Sequence, residues 1–350
     1  MAANGNNAHR LGVAVVGYGR VASRWHVPVY HRAGLNVVAI CDTDEAARRR
    51  AKGHWPDVRC YASYPELLAD PAVQVVDLAT RPNGRLELIG AAIDTGHHVL
   101  AQKPLAFGTG GLADLAARAE RAGVMVAVNQ NGRFAPAWRR TSELLAAGAI
   151  GRIRAITHTY DTCLRWTPDL DRHGTAHFLL FDYSNHWIDI TGYWLRADPV
   201  VAVMARDYDI ARHPDGTLQQ TMWISMETDS GISAVIRGAA AGGTHAGHDF
   251  VVQGETGTLR GRVDSTAGEW LEWDVGGRRE VVPLDGEWFP DGFLGSMLEL
   301  MDAIHEARQP LHSLADNQRT VALVASVCMS ADEHGRRVDP RATQPTPARA

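Results

Sequence analysis

Residues 11–22 read Leu-Gly-Val-Ala-Val-Val-Gly-Tyr-Gly-Arg-Val-Ala. A short apolar run opens directly into Gly-x-Gly-x-x-Ala, and a helix-like segment follows. Few other features constrain a fold as tightly. Two glycines this close together after a buried strand let the backbone turn sharply and come near a ligand. Ala22 is small enough for the next helix to pack on that strand. The helix start then directs unpaired N–H groups and a positive dipole end at a pyrophosphate. Gly17, Tyr18, Gly19, Arg20 and Val21 are therefore candidate dinucleotide contacts.

The segments that follow have the rhythm such a turn needs. Apolar, β-branched runs at Gly12–Val16, Asn36–Cys41, Val75–Ala79, His98–Ala101 and Val124–Val128 read as strands. Helical segments fall between them near Val21–Ala33, Asp44–Lys52, Pro65–Ala69, Gly84–Thr95 and Thr109–Ala122. Continuous apolar runs mark strands buried on both faces, and this alternation predicts a parallel sheet covered by helices. After about Asn129 the pattern changes. A helix at Ala135–Ala147 leads to a strand at Ile153–Tyr160, an irregular stretch to His177 and a helix at Phe181–Leu195. Strands with hairpin punctuation follow at Gln219–Thr228 and Ile232–Arg237 and continue to about Leu284. Helices near Leu294–Glu306 and Leu314–Glu333 close the chain.

The expected architecture is an N-terminal Rossmann domain over residues 11–130, then an α+β domain over 131–336 with a large, mostly antiparallel open sheet. Residues 1–10 and 337–350 read as loose tails. A chain of 350 residues suits two domains. Its 35 basic and 40 acidic residues leave a net charge of −5, which argues against nucleic-acid or membrane-surface partners. No apolar run is long enough to span a bilayer, and Met1 to Arg10 lack a signal core, so the expected location is cytoplasmic. Cys41, Cys60, Cys163 and Cys328 are scattered and read as reduced structural thiols.

Asp42 closes the second strand, 20 residues beyond Ala22, where an acid accepts hydrogen bonds from the adenosine ribose hydroxyls. A carboxylate there repels a 2′-phosphate, so NAD is favoured over NADP. The run Arg48-Arg49-Arg50 pulls slightly the other way, since arginines there could meet a phosphate, but a solvated helix face is the favoured reading of it. Thr80, Arg81 and Pro82 follow the next central strand, and Gln102 and Lys103 precede Pro104 after the one beyond it. Both groups fall at the carboxyl edge of the sheet, where open α/β sheets bind ligands. Further along, Asp182, His186 and Asp189 are spaced i, i+4, i+7 on a predicted helix and would share a face. A carboxylate one turn before a histidine can orient the imidazole and stabilise its cation.

Taken together, these pieces resemble the Gfo/Idh/MocA oxidoreductases, relatives of glucose–fructose oxidoreductase and inositol dehydrogenase. Gly17–Ala22, Asp42, Ala79–Pro82, His98–Leu105 and Asn131–Phe134 carry the resemblance. It continues through Gly148–Ile153, Asp182–Asp189 and Gly254–Leu259, and runs from about Leu11 to Asp339. It implies that Lys103, Asp182 and His186 form the catalytic set. His186 would be the general base or acid, Lys103 a hydrogen-bond donor to the reacting oxygen, and Asp182 the group that orients both substrate and His186. It also implies that Asn131 joins the cofactor contacts. Two positions depart from the family pattern. Gln102 stands where the family has glutamate, which predicts a less firmly held lysine cation. Arg85 stands where a histidine is frequent.

Arg133, Asp161, Trp166, His173, His177 and Asn185 are candidate substrate contacts, since charged, amide and aromatic groups together suit a polyhydroxylated ring. The expected reaction interconverts a secondary alcohol and a ketone on a sugar, inositol or amino-sugar-like substrate. Two other readings stand beside it. One is a non-catalytic NAD(H)-sensing or scaffold protein on the same fold. The other is a metal-dependent enzyme using His173, His177 and His186, although no zinc-type motif is complete and no metal is expected. An open sheet face needs cover, which points to a homodimer or homotetramer through the C-terminal sheet.

Overall fold

The computed structural model describes residues 10–162, 177–212, 218–240, 247–264 and 268–342. The chain divides into two compact units, residues 1–131 with 289–318, and residues 132–288 with 319–350.

The first unit is a six-stranded sheet in the order β3-β2-β1-β4-β5-β6. Its strands are β1 (Val13–Val16), β2 (Val37–Cys41), β3 (Arg59–Tyr61), β4 (Val75–Leu78), β5 (His98–Gln102) and β6 (Val126–Asn129). All are paired in parallel. The order reverses direction between β1 and β4, which makes a crevice at their carboxyl ends. Helices α1 (Val27–Arg32), α2 (Glu45–His54), α3 (Tyr64–Leu68), α4 (Arg85–Asp94) and α5 (Leu112–Ala122) connect the strands. Every residue of β1, β4 and β6 is buried, the polar Asp77 and Asn129 included.

Two features of this unit differ from the expectation. β3, only three residues long, has no apolar run because it is an edge strand with one partner. The helix after the glycine turn begins as a π turn, Ala22–His26, before α1 takes over. Such wide turns recur at functional sites and re-aim the side chains they carry.

The second unit contains an eight-stranded sheet in the order β14-β13-β12-β11-β7-β10-β9-β8. Preceded by α6 (Pro136–Ala146), its strands run from β7 (Ile153–Asp161) through β8 (Val200–Arg212), β9 (Leu218–Thr228), β10 (Ser233–Ala240) and β11 (Gly247–Gly254). They end with β12 (Gly257–Arg262), β13 (Trp270–Val275) and β14 (Arg278–Val281). Only β7 and β10 pair in parallel, so the sheet is mostly antiparallel as expected. β8 is the largest element missing from the sequence reading. Its inner half, Val200–Ala205, is apolar, but its outer half from Tyr208 to Arg212 is exposed and mixes Tyr208 and Ile210 with Asp209 and Arg212, so the strand as a whole follows no single pattern.

Strand alternation places Ile156, His158 and Tyr160 of β7 on the buried face. They meet α6 and α7 (Asn185–Trp194) through a cluster of rings. Trp138 and Trp187 stand edge to face at 5.8 Å, and Tyr160 lies 4.3 Å from Trp187. Burial pushes the His158 imidazole down to about 3, so it sits in this core as a neutral ring. The expected helix over Phe181–Leu195 is two pieces, a π turn at Leu179–Tyr183 and then α7, joined at Ser184. The last helices are α8 (Trp288–His305) and α9 (Leu314–Asp332). Phe293, Met297, Leu300 and Met301 of α8 belong to the first unit's core, with Val13, Val15, Ile40 and Val75. Among the described residues, no helix is long and apolar enough to cross a membrane.

Candidate active site

In the first unit, the glycine turn is built around one carboxylate. Gly17 has φ +90°, a left-handed conformation that side chains rarely adopt. A Cβ there would also lie 3.1 Å from the Ala79 carbonyl oxygen, so glycine lets the ends of β1 and β4 converge. Directly after it, the Tyr18 N–H donates to Asp42 Oδ2 at 2.7 Å. The Asp44 N–H donates to Asp42 Oδ1 at 2.9 Å. Both carboxylate oxygens are thereby oriented, with lone pairs left over for further donors. Tyr18 points its buried ring away from the turn, where its hydroxyl takes the Trp55 indole N–H at 3.0 Å and meets His54 Nδ1 at 3.1 Å. Gly19, Arg20 and Val21 form the exposed tip, and a Cβ at Gly19 would meet nothing within 4 Å.

Two arginines of the run Arg48-Arg49-Arg50 have partners close by. Arg48 donates to the backbone carbonyls of Asp42 and Thr43 at 2.8 and 3.0 Å, and Arg49 pairs with Glu45. Across the switch point, Thr80 and Arg81 leave the end of β4, and Pro82 is buried. Thr80 Oγ1 and both amide atoms of Asn129, at the ends of β4 and β6, are buried without a hydrogen-bond partner among the described residues. Orphaned polar atoms at the carboxyl edge, an oriented acid and an open glycine tip fit a dinucleotide. Asn129 ends β6, one residue beyond the strand expected to close at Val128. Asn131 follows it, buried.

Lys103 lies one residue beyond β5, half-buried. Gln102 Oε1 accepts its peptide N–H at 2.7 Å. Arg85, 1% exposed, donates to the carbonyl oxygens of Thr80, Gln102 and Pro104.

In the second unit, Asp182 sits half-buried on the π turn and His186 lies in the first turn of α7. The wider turn alters the simple i, i+4, i+7 phasing expected of one α-helix. The His186 ring meets the Trp288 ring edge-on at 5.2 Å. A Cβ at Gly132 would lie 3.4 Å from His186 Nδ1 and 3.0 Å from the Trp138 ring, so glycine leaves room for both rings.

Glu269, which carries no local motif, anchors this wall. Its two oxygens accept the N–H groups of Ala137 and Trp288 at 2.9 and 2.8 Å. Burial pushes its carboxyl up to about 7 against those hydrogen bonds. Asn185 is 3% exposed, with Oδ1 lacking a partner among the described residues.

Two other candidates are held by carboxylates. Arg133 forms a bidentate pair with Asp189 at 2.7 and 2.6 Å, and the Thr320 hydroxyl adds a third bond at 2.6 Å. His177 meets Asp207 through Nδ1 at 2.8 Å and Asp332 through Nε2 at 3.1 Å. The bond to Asp207 is the main reason its imidazole is raised to about 9. Asp161 closes β7, partly exposed and 3.9 Å from Arg237. Trp166 and His173 lie outside the described residues. Among the described residues, no group of three or more His, Cys, Asp or Glu side chains is arranged to hold a metal ion.

Residues 11–130 match the model of an oxidoreductase family with an NAD-binding Rossmann fold. Residues 138–260 match the GFO/IDH/MocA C-terminal domain. An uncharacterized oxidoreductase of Synechocystis is 29% identical over 265 residues, 71% of each chain. A 1,5-anhydro-D-fructose reductase of Ensifer adhaerens is 28% identical over 256 residues, 71% of this chain and 74% of that one. An Agrobacterium radiobacter oxidoreductase, solved with NAD+, L-tartaric acid and magnesium, shares the fold with a TM-score of 0.81. It is 21% identical, and the match covers 95% of this chain and 99% of that one.

Proposed function

The chain belongs to the GFO/IDH/MocA family of NAD(P)-dependent oxidoreductases, and on that premise we propose that it interconverts a secondary alcohol and a ketone on a polyhydroxylated ring. A sugar, an inositol or an amino-sugar-like compound is the substrate class. The observation that carries this reading is the Asp42 carboxylate, fixed by the Tyr18 and Asp44 N–H groups beside the switch point of the parallel sheet. NAD is the preferred cofactor, because that carboxylate repels a 2′-phosphate. The name of the Ensifer relative, a reductase of an anhydro sugar, supports the substrate class.

Lys103, Asp182 and His186 are the proposed catalytic set. When bound, the dinucleotide supplies the hydride acceptor, or the donor in the reverse direction. In oxidation, the carbinol C–H pair leaves as hydride and the hydroxyl proton must leave with it. His186 takes that proton at Nε2, since Nδ1 faces the side of Gly132 where a side chain would stand. Lys103 Nζ donates a hydrogen bond to the same oxygen and stabilises the negative charge that develops there. Asp182 orients the substrate and the imidazole. Asp161 and Asn185 are proposed substrate contacts, whereas Arg133 and His177 serve as structural clamps. In reduction the same residues run the proton the other way.

The test is a screen of NAD and NADP reduction over cyclitols, aldoses and amino sugars, with the matching ketones assayed for NADH oxidation. Turnover of at least one ring compound, faster with NAD, is expected. Absence of turnover across all of them, with NADH binding intact, overturns the reading in favour of a cofactor-sensing protein.

A further inference from the structure

Asp77 stands inside the apolar run Val75-Val76-Asp77-Leu78 and is fully buried. A carboxylate in the middle of a central strand needs hydrogen-bond donors. Asp77 Oδ2 accepts from His26 Nδ1 at 2.7 Å and from the Tyr30 hydroxyl at 3.0 Å. Burial first, and the Asp77 charge second, raise the Tyr30 phenol well above its ordinary value, so it keeps its proton and donates. His26 ends the π turn after the glycine loop, fully buried, with its ring 4.7 Å from that of Phe293.

The other ring nitrogen fixes the direction of the whole chain of bonds. His26 Nε2 lies 3.2 Å from Gln102 Nε2. Gln102 Oε1 accepts the Lys103 peptide N–H at 2.7 Å, which leaves the NH2 group facing the imidazole. Turning the amide over would set NH2 against an N–H donor, so this orientation is the one the bonds allow. An NH2 group pointing at Nε2 requires a lone pair there. His26 is therefore neutral, with its proton on Nδ1 and directed at Asp77. Arg85 completes the arrangement by donating to the carbonyl oxygens of Gln102 and Pro104, on either side of Lys103.

We propose that Tyr30, Asp77, His26 and Gln102 form a positioning relay for Lys103, and that residue 102 sets the number of protons on His26. The relay rests on the proposed catalytic role of Lys103. A carboxamide accepts from Lys103 while donating to a neutral imidazole. An ionised glutamate only accepts, so its contact with His26 requires the second imidazole proton. Gln102 and Arg85, the two positions read as departures from the family pattern, then act around one peptide unit, through its N–H and through the carbonyls beside it.

The tautomer is read without turnover, by nitrogen NMR of the full-length protein labelled at histidine, with the His26 signal assigned by its loss in His26→Asn. In the wild type, His26 is expected to carry one ring proton, on Nδ1. In Gln102→Glu it is expected to carry two. A doubly protonated or Nε2–H ring in the wild type overturns the relay, as does an unchanged ring in Gln102→Glu. Kinetics supply the second arm. Gln102→Met is expected to lower kcat by roughly 10- to 100-fold, the scale of a slightly misplaced catalytic group, with KM for NAD little changed. Gln102→Glu is expected to restore most of kcat. Wild-type kcat in Gln102→Met overturns the positioning role. Full turnover in Lys103→Met overturns the catalytic reading instead and leaves the tautomer result standing.

Discussion

The Asp42 carboxylate accepts the Tyr18 peptide N–H at 2.7 Å, so the side chain proposed to meet the adenosine ribose also closes the glycine turn. Asp42→Ala removes both functions at once. A hydrogen bond to a charged group contributes about 1.5–3 kcal/mol, so KM for NAD is expected to rise by about tenfold or more. Loss of the charge also relaxes the discrimination against NADP. The ratio of kcat/KM for NADP over NAD, measured in wild type and Asp42→Ala, is expected to rise. An unchanged ratio removes Asp42 from the ribose site.

Arg133 and Asp189 form a buried pair, with side chains 4% and 2% exposed. Arg133→Met leaves an uncompensated carboxylate and is expected to cost about 3–5 kcal/mol. Denaturant titration should place the midpoint well below wild type, and Arg133→Met with Asp189→Leu should recover most of the loss. A substrate contact would behave differently, raising the substrate KM with the midpoint unmoved.

His177 gives stability a pH dependence of defined sign. Its imidazole is raised to about 9 by Asp207, with Asp332 adding to the effect, against an ordinary value near 6.5. The contribution is therefore full below about 6.5 and is lost as pH rises through about 9. Thermal melts between those limits should show this loss in wild type. His177→Gln, which never carries the charge, should flatten it. Equal slopes in the two proteins contradict the assignment.

The register of the large sheet puts Trp270, Arg262, Asp249, Thr159, Arg237 and Trp223 in one row on its outer face. Val235, 39% exposed, belongs to the same face beside Trp223, at 37%. This is the proposed subunit interface, so light scattering should give a multiple of the 38.1 kDa chain mass. Val235→Arg should halve it, because an unpaired charge in a close-packed interface is costly. A monomeric wild type removes the interface.

Much of this was legible in the sequence because it rests on local rules. The run into Gly17-Tyr18-Gly19 and the period of the first half set out the parallel sheet, and Asp42 announced itself by its distance from the turn. What escaped depends on long-range partners. β3 and the outer half of β8 are edges, held by backbone pairing that needs no apolar pattern. The π turns at Ala22–His26 and Leu179–Tyr183 insert a wider coil into segments that read as ordinary helix. His26 and Asp77 meet across 51 positions, and Arg133 and Asp189 across 56. The buried acid in Val75-Val76-Asp77-Leu78 was the one local sign that a partner had to exist.

Lys103 and His186 are proposed to act together on the reacting oxygen during hydride transfer. The most direct measurement is single-turnover NADH formation, with a substrate found in the screen, in wild type, Lys103→Met and His186→Ala, each also titrated with NADH. Loss of a positioned acid–base group costs about 10²- to 10⁴-fold in rate. Both variants are expected to fall by that order while binding NADH like wild type. Wild-type rates in both would remove Lys103 and His186 from the chemistry.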